Sequence, residues 1–285
     1  MEAVAIAVEA GAGLRWEPIE DMLVARSFHA MTGGSLPGTV VALGGCCDSH
    51  GNNFASASRY APGAANNWTQ LPNMTTPRYG LAAATLNGTV FALGGCKDAG
   101  CNTVLASVEA FDLAAGAHWT LLAASMTTPR YDHAAAVLRG LIYAAGGRSG
   151  NPILASVERF DGGAHSTWAL VASMGTGRSY FALVALEEGG PSHHGGMLVA
   201  AGGGSYGNPA LASAEAYDPV ADQWAAIADM ATARSQCAGA ALHGKAYVSG
   251  GANYNTNAPA RVEVSDPAMG KGAAAPPMAT ARYGH

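Results

Sequence analysis

The sequence predicts an all-β fold of six four-stranded antiparallel sheets arranged radially around an axis, and two repeated features support it. An apolar run closing on Gly-Gly recurs five times, at Val40–Gly45, Val90–Gly95, Ile142–Gly147, Leu198–Gly203 and Ala246–Gly251. The first glycines of the pairs stand at 44, 94, 146, 202 and 250, which are steps of 50, 52, 56 and 48 residues. A single Trp and a Met–Arg pair recur in register with them. A period of roughly 50 residues is typical of stacked supersecondary units.

Each repeat divides into four short runs separated by turn residues. In the second repeat these runs are Leu81–Leu86, Thr89–Leu93, Leu105–Asp112 and Trp119–Ala123. They are too short for helices, and the second run is apolar without alternation, which indicates a strand that is covered on both faces. The dipeptide Asn-Gly between the first two runs favours a hairpin turn. Because one such sheet cannot cover both of its apolar faces alone, radial packing of several sheets is predicted.

Further residues recur in step with the glycines. Three units have a Glu–aromatic–Asp segment, Ser107–Asp112, Ser156–Asp161 and Ser213–Asp218, and a Trp follows each of them. The Met–Arg pairs behind these tryptophans are Met22/Arg26, Met74/Arg78, Met126/Arg130, Met174/Arg178, Met230/Arg234 and Met278/Arg282. Together these residues resemble the kelch repeat family of β-propellers over nearly the whole chain. The resemblance implies a six-bladed kelch β-propeller with four-stranded antiparallel blades.

The two ends of the chain give the expected number of blades. Val8-Glu9 followed by Trp16 aligns with the third and fourth strands of a unit, and Pro276–His285 aligns with the start of a first strand. We therefore expect five full repeats and a last blade shared between the termini, incomplete at the C-terminus, within a single domain spanning residues 1–285. Kelch propellers often carry a BTB or F-box module, and no room for either exists within these repeats.

Small and large side chains have separate places in the predicted propeller. Alanine runs in the first strands, such as Ala82–Ala84 and Ala134–Ala136, suit the axis where the blades converge. Farther out, each repeat Trp is expected to fill the widening gap between blades and to bury ~150–250 Å². Each Gly-Gly pair is expected to supply a positive φ or a close backbone approach that a β-carbon would block.

Composition argues against several partner classes. The net charge of −5 gives no electrostatic basis for binding nucleic acid. No apolar run approaches the ~18 residues of a membrane helix, so no membrane contact is expected. The five cysteines are an odd number, and the N-terminus lacks a basic leader, which predicts reduced thiols and a cytoplasmic location.

One arginine in each unit precedes the innermost strand, and propeller symmetry would place these residues in a ring at the channel mouth. They are Arg26, Arg78, Arg130, Arg178, Arg234 and Arg282. In kelch adaptors similar to this chain, such loops grip acidic peptides, and the planar guanidinium pairs bidentately with carboxylates. The alternative is that each Arg forms a structural ion pair with a repeat Glu, namely Glu9, Glu109, Glu158, Glu215 or Glu263. Arg59 is expected at the Glu position of the first blade, which would leave one Arg unpaired.

The loops after Gly-Gly vary most among the repeats, as binding loops on a rigid scaffold do. Propeller topology places them on the same face as the arginine loops. We therefore expect Arg148, Tyr206, Asn253 and Tyr254 to shape specificity for a protein or peptide partner, and the arginines favour an acidic one. The alternative is that these loops are only solvated turns rich in Gly and Asn.

Signals for metal binding or catalysis are weak. Cys46, Cys47, Asp48 and His50 are close together, but their spacing fits no compact zinc pattern, and His193-His194 lies in an insertion. Neither a cofactor nor a metal is expected. The sequence favours a non-enzymatic interaction scaffold, such as the substrate-recognition part of a ubiquitin ligase. The alternative is a kelch-like carbohydrate oxidase or epimerase that acts at the channel mouth.

Overall fold

A computed structural model shows an all-β chain with five four-stranded antiparallel blades and one two-stranded sheet. The structure describes residues 5–10, 13–18, 21–34, 38–46, 52–63, 67–98, 100–163, 165–187, 195–207, 209–253, 261–266, 271–275 and 277. Among these residues, none forms a helix with the length and apolarity needed to cross a membrane.

Each blade consists of four strands in chain order, so within a blade each strand pairs with the next one along the chain. The first three blades are β3 (Ala30–Gly33), β4 (Val40–Leu43), β5 (Ala57–Tyr60), β6 (Trp68–Leu71); β7 (Ala82–Leu86), β8 (Thr89–Leu93), β9 (Val108–Asp112), β10 (Thr120–Leu121); and β11 (Ala134–Leu138), β12 (Leu141–Ala145), β13 (Val157–Phe160), β14 (Ala169–Val171). The fourth and fifth are β15 (Ala182–Leu186), β16 (Met197–Ala201), β17 (Ala214–Asp218), β18 (Gln223–Ile227); and β19 (Ser235–Leu242), β20 (Lys245–Ala252), β21 (Val262–Asp266), β22 (Lys271–Ala275).

The first strands of successive blades contact one another, from β3 to β7, β11, β15 and β19. These strands therefore surround the axis, as the alanine runs predicted. The second strands are apolar and buried along most of their length; in β8, for example, Val90 to Leu93 are all buried. This is the burial expected of strands covered on both faces.

Three repeat tryptophans, Trp119, Trp168 and Trp224, belong to hydrophobic clusters that include the preceding blade, as predicted from the sequence. Trp119 of the second blade is 3% exposed and lies against Val41, Leu43 and Ala57 of the first blade. Its indole nitrogen donates a hydrogen bond to the Pro72 carbonyl oxygen at 2.9 Å. An aromatic side chain thus fills the gap between the first two blades, and its polar atom has a partner. Trp224 of the fourth blade donates the equivalent bond to the Ala172 carbonyl oxygen at 3.0 Å, whereas the buried indole nitrogen of Trp168 has no hydrogen-bond partner.

The Gly-Gly pairs connect neighbouring blades. Both glycines of the first pair have positive φ, 65° at Gly44 and 91° at Gly45. The Gly45 amide donates to the Arg78 carbonyl oxygen at 2.8 Å, and a β-carbon at Gly44 would stand 2.6 Å from that oxygen. Glycine is required here for both reasons that the sequence suggested, conformation and close approach.

The predicted number of six blades is wrong for the described residues, which form five. The N-terminal strands β1 (Ala5–Ala10) and β2 (Gly13–Pro18) pair with each other in a separate two-stranded sheet. In the described part of the chain, no other strand pairs with them, so a last blade shared between the termini is not formed there. The repeat count located these strands correctly, but a full blade needs hydrogen bonding to two inner strands as well.

Candidate functional site

The repeat arginines are interior residues. Arg78 is fully buried, and its Nη2 lies 3.0 Å from Oε1 of Glu109, which is also fully buried. Arg78 Nη1 donates to the carbonyl oxygens of Gly94 at 2.7 Å and Ser107 at 2.9 Å. The second carboxylate oxygen of Glu109 accepts hydrogen bonds from the amide and hydroxyl of Thr75, at 2.6 and 2.7 Å. The pair therefore fastens the loop entering the second blade to the third strand of that blade.

Three further blades repeat this ion pair with N–O distances of 2.7 to 2.8 Å: Arg130–Glu158, Arg178–Glu215 and Arg234–Glu263. All three guanidinium groups are 0% exposed. Buried arginines that are held by their own blade do not line the channel mouth, so these contacts support the structural alternative instead of a ring for partner capture. Arg282 lies outside the described residues.

Arg26 of the first blade is the exception that the sequence predicted, but for a different reason. Strand register places Ser58, and not Arg59, at the position of Glu109. Arg26 donates instead to the carbonyl oxygens of Gly44 and Ser56, both at 2.9 Å. In the described part of the chain no carboxylate pairs with it, and burial lowers the pKa of Arg26 to about 10.

A ring of five equivalent residues surrounds the channel, two positions after each repeat Arg. These residues all have positive φ: Phe28 (52°), Gly80 (61°), Asp132 (53°), Tyr180 (56°) and Gln236 (56°). Each of the last four amides donates to the carbonyl oxygen of the preceding ring residue, at distances from 2.7 to 3.1 Å. Four of the five carry a side chain in the left-handed region, which costs of order 1–3 kcal/mol each and persists where surrounding structure holds it.

Above this ring, a pocket of about 400 Å³ opens between the loops of the third, fourth and fifth blades. Its polar lining includes Arg148, Ser179, Tyr180, Gln236 and Asn253. The pocket therefore joins the ring to the variable loops, which the sequence placed on one face.

Arg148 is the cation of this mouth pocket, and it differs from the repeat arginines. It is only partly buried, and its guanidinium carbon lies 6.0 Å from the ring centre of Tyr131. Its Nε has no hydrogen-bond partner, and no ion pair of Arg148 is found among the described residues. A guanidinium that is stacked on an aromatic ring and has no paired carboxylate is suited to receive one.

Two other loop residues that the sequence predicted to contact a partner, Tyr206 and Asn253, lie within the described residues. Tyr206 is 89% exposed beside Ser205, which lines the mouth pocket. Asn253 lines the pocket itself, and its side-chain amide donates to the Ala233 carbonyl oxygen at 3.3 Å. Tyr254 lies outside the described residues. Arg148 and Asn253 thus line one opening, and Tyr206 is adjacent in sequence to a third lining residue.

Below the ring lies a smaller cavity of about 110 Å³, to which each of the five blades contributes two consecutive residues. Asp132 and His133 of the third blade are 6% and 7% exposed. Neither carboxylate oxygen of Asp132 and neither ring nitrogen of His133 has a hydrogen-bond partner. Buried polar groups without partners are rare and costly, so these two residues mark a site that the sequence reasoning missed.

Burial also shifts the acid–base properties of this pair. It raises the pKa of the Asp132 carboxyl to about 7, and the neighbouring Tyr180 and Arg148 only partly oppose the rise. Burial, and then the charge of Arg130, hold the pKa of His133 well below its usual value of 6.5. At neutral pH the imidazole is therefore uncharged, and the carboxyl lies near the midpoint of its titration.

Comparison with known proteins identifies the repeat. The family model described as the Kelch motif matches residues 77–123, 129–175 and 190–231. This chain is a kelch-repeat protein. A solved structure of YjhT aligns with a TM-score of 0.76 and 13% identity, covering 93% of this chain and 89% of that one. At this identity the likeness concerns the fold. No curated protein matches the chain in sequence.

The cysteines of this kelch chain correct one expectation. Cys96 and Cys101 form a disulfide in the loop after the second Gly-Gly, and Cys46 is also disulfide-bonded. Cys237 is free and buried, and burial raises its pKa to about 11. The prediction of reduced thiols is therefore wrong for three cysteines. Since disulfides are rare in cytosolic proteins, the cytoplasmic expectation loses its main support.

Metal binding was not expected, and the described ranges contain no group of three or more His, Cys, Asp or Glu side chains that could hold an ion. Cys47, Asp48, His50 and the His193-His194 pair all lie outside those ranges.

Proposed function

We propose that this kelch propeller is a protein-interaction scaffold whose loop face binds a partner through the mouth pocket. The observation that carries the proposal is Arg148, a partly buried arginine that has no ion pair among the described residues and lines a pocket of about 400 Å³. Its charge is available for a carboxylate, whereas the four repeat arginines are already paired. The serines and amides around it offer hydrogen bonds that fix a bound segment, and Tyr206 offers an exposed aromatic side chain at the rim.

An acidic partner segment fits this pocket despite the chain's net charge of −5, because a local cation outweighs a modest opposite total at short range. An Arg–carboxylate contact at an exposed rim is screened by salt, whose Debye length falls to ~3 Å at 1 M. Binding is therefore expected to weaken as the salt concentration rises.

The test compares proteins captured by the parent, by Arg148→Ala and by Arg139→Ala, followed by titration of each purified partner. Arg139 is an exposed arginine in the β11–β12 turn, at the end of these strands away from the mouth, so it is a matched control. A partner that the parent and Arg139→Ala bind equally, and that Arg148→Ala binds at least about tenfold more weakly, supports the proposal. If Arg148→Ala binds every partner as tightly as the parent, the mouth pocket is not the binding site.

A carbohydrate enzyme is the second candidate, and Asp132, His133 and Tyr180 are the residues that favour it. Titratable groups with strongly shifted pKa values that cluster in a cleft are often catalytic. Saturable turnover of a sugar oxidation or epimerisation, lost in Asp132→Asn, would select this function over the scaffold. Absence of turnover across both reaction classes would remove it.

A further inference from the structure

The cavity below the ring has a mixed lining, in which His29, Asp132, His133 and Gln236 are the polar side chains besides Tyr180. Phe28, Tyr180 and Gln236 line its wall at strained ring positions, and Leu81 and Phe181 are apolar neighbours. The second blade has Gly80 at the equivalent ring position, so the fold is compatible with glycine there. Glycine adopts a positive φ with the least conformational strain. Strained positions often cluster at ligand sites, so the presence of four side chains at such positions around one cavity points to a use for them.

Asp132 and His133 define the polarity of the site. Four polar atoms, both carboxylate oxygens and both ring nitrogens, are buried without a hydrogen-bond partner. The Tyr180 hydroxyl is close enough to act on the carboxyl, yet it does not meet hydrogen-bond geometry. An unpaired buried carboxylate is destabilising, and a group that donates hydrogen bonds and carries a positive charge relieves this cost most effectively.

Aromatic rings make the cavity wall favourable for a cation. The Phe28 ring centre lies 6.1 Å from that of Tyr180 and 5.1 Å from that of Tyr79. Ring faces carry negative partial charge and attract an ammonium group that lies within about 6 Å of the ring centre. An anion would instead meet the two unpaired oxygens of Asp132, which would repel it.

We propose that this cavity binds a primary ammonium group, with Asp132 as its counter-ion, the His133 imidazole as a hydrogen-bond acceptor and the rings of Phe28 and Tyr180 beside it. A volume of about 110 Å³ accommodates an ammonium head with a short alkyl stem. The ammonium belongs to a lysine side chain of a partner or to a small free amine. The inference does not depend on partner binding at Arg148, which lies in the mouth pocket above.

Two probes test the chemistry at about pH 8, where an alkylammonium is charged and Asp132 is largely ionised. The first is n-butylammonium chloride, compared with n-butanol. The second is the capped peptide Gly-Gly-Lys-Gly-Gly, compared with the same peptide containing norleucine. Binding is measured by calorimetric titration or by chemical-shift changes of the protein. Each charged probe is expected to bind at least about tenfold more tightly than its neutral counterpart. Equal affinities within both pairs overturn the proposal.

The two charged probes also separate the sources of the amine. A lysine peptide that binds more tightly than n-butylammonium identifies a partner's side chain, and the reverse order identifies a small free amine. Both outcomes keep the ammonium site.

Variants then assign the counter-ion. Asp132→Asn removes the charge but keeps the shape, and asparagine tolerates positive φ well, so this variant is expected to fold. It is expected to lose at least about tenfold in ammonium affinity, while Asp112→Asn, at an exposed carboxylate of β9, keeps parental affinity. Phe28→Leu is expected to weaken binding severalfold through loss of one ring. Ammonium binding that is unchanged in both Asp132→Asn and Phe28→Leu overturns the proposal.

Discussion

At the scale of single residues, the repeat positions fall into two kinds. Some have the same residue in most blades and support the fold, and others vary between blades and are suited to binding. The Arg–Glu pairs recur in four blades, and each pair fastens the loop that enters its own blade. Two positions later the backbone conformation recurs, but the side chains of Phe28, Asp132, Tyr180 and Gln236 all differ. A position with constant geometry and variable chemistry is suited to specific contacts, which is why the ring and the cavity beneath it stand out.

Asp132 makes stability depend on pH. Its folded-state pKa of about 7 is above the ordinary value of 3.8, so the folded state holds the proton more tightly than the unfolded state does. The contribution of Asp132 to stability is therefore present below about pH 4 and is lost as pH rises through 7. His133 acts in the opposite direction below about 6.5, so the informative quantity is the difference between variant and parent.

We expect Asp132→Asn to match the parent in free energy of unfolding near pH 4 and to exceed it at pH 8, by up to roughly 4 kcal/mol. Denaturant titrations at both pH values measure this difference. If the free energies of unfolding of variant and parent differ by the same amount at pH 4 and pH 8, the pKa of the Asp132 carboxyl is not raised in the folded state.

At the scale of structural elements, the first blade lacks a part that the others have. Ser58 stands where Glu109 stands in the second blade, and Arg26 keeps only neutral hydrogen-bond partners among the described residues. The sequence predicted an unpaired arginine but misplaced the position by one residue. In a strand, a shift of one residue moves a side chain to the opposite face, so the register decides which substitution restores the pair.

Ser58→Glu is expected to stabilise the first blade by about 1–2 kcal/mol, because it supplies Arg26 with the carboxylate that its equivalents have. Ser58→Gln has nearly the same shape without the charge and is the control. The free energies of unfolding of both variants measure the effect. If the glutamine variant is as stable as the glutamate variant, or both are less stable than the parent, burial cost outweighs pairing at this site.

The wedges between blades are the second feature at this scale. Trp119→Ala is expected to cost ~3–5 kcal/mol, because it removes a ring that packs between the first two blades and leaves a cavity. Leu121→Ala, in the adjacent strand β10, removes a side chain that is 56% exposed and should change stability little. Equal losses in these two variants, measured by denaturant titration, would contradict the role of Trp119 as inter-blade packing.

At the scale of the whole molecule, the repeat period was sufficient to predict the propeller but not the number of blades. The Gly-Gly spacing and the Trp positions reflect local needs that every unit shares, so they are visible in one sequence. Blade number depends on which strand edges actually pair, and β1 pairs only with β2 among the described strands.

The candidate site shows the same limit of sequence reasoning. Arg148 and Asn253 were predicted because variable loops follow a regular marker. Asp132 and His133 were not, since only their burial without partners distinguishes them from neighbouring polar residues. The six arginines looked like one functional ring from their spacing, although burial and pairing assign four of them to the blade interior.

We propose that Arg148 at the mouth contacts the partner, whereas the paired repeat arginines stabilise the blades. The most direct test measures how much protein binds to an array of capped acidic peptides and to the same peptides with Gln or Asn in place of the acidic residues. The parent and Arg148→Ala are compared, and the unfolding midpoint of each is measured to check that both are equally stable. We expect the parent to prefer the acidic peptides, and we expect Arg148→Ala to lose this preference while remaining as stable as the parent. If Arg148→Ala is stable and still prefers the acidic peptides, Arg148 does not determine the binding of acidic partners.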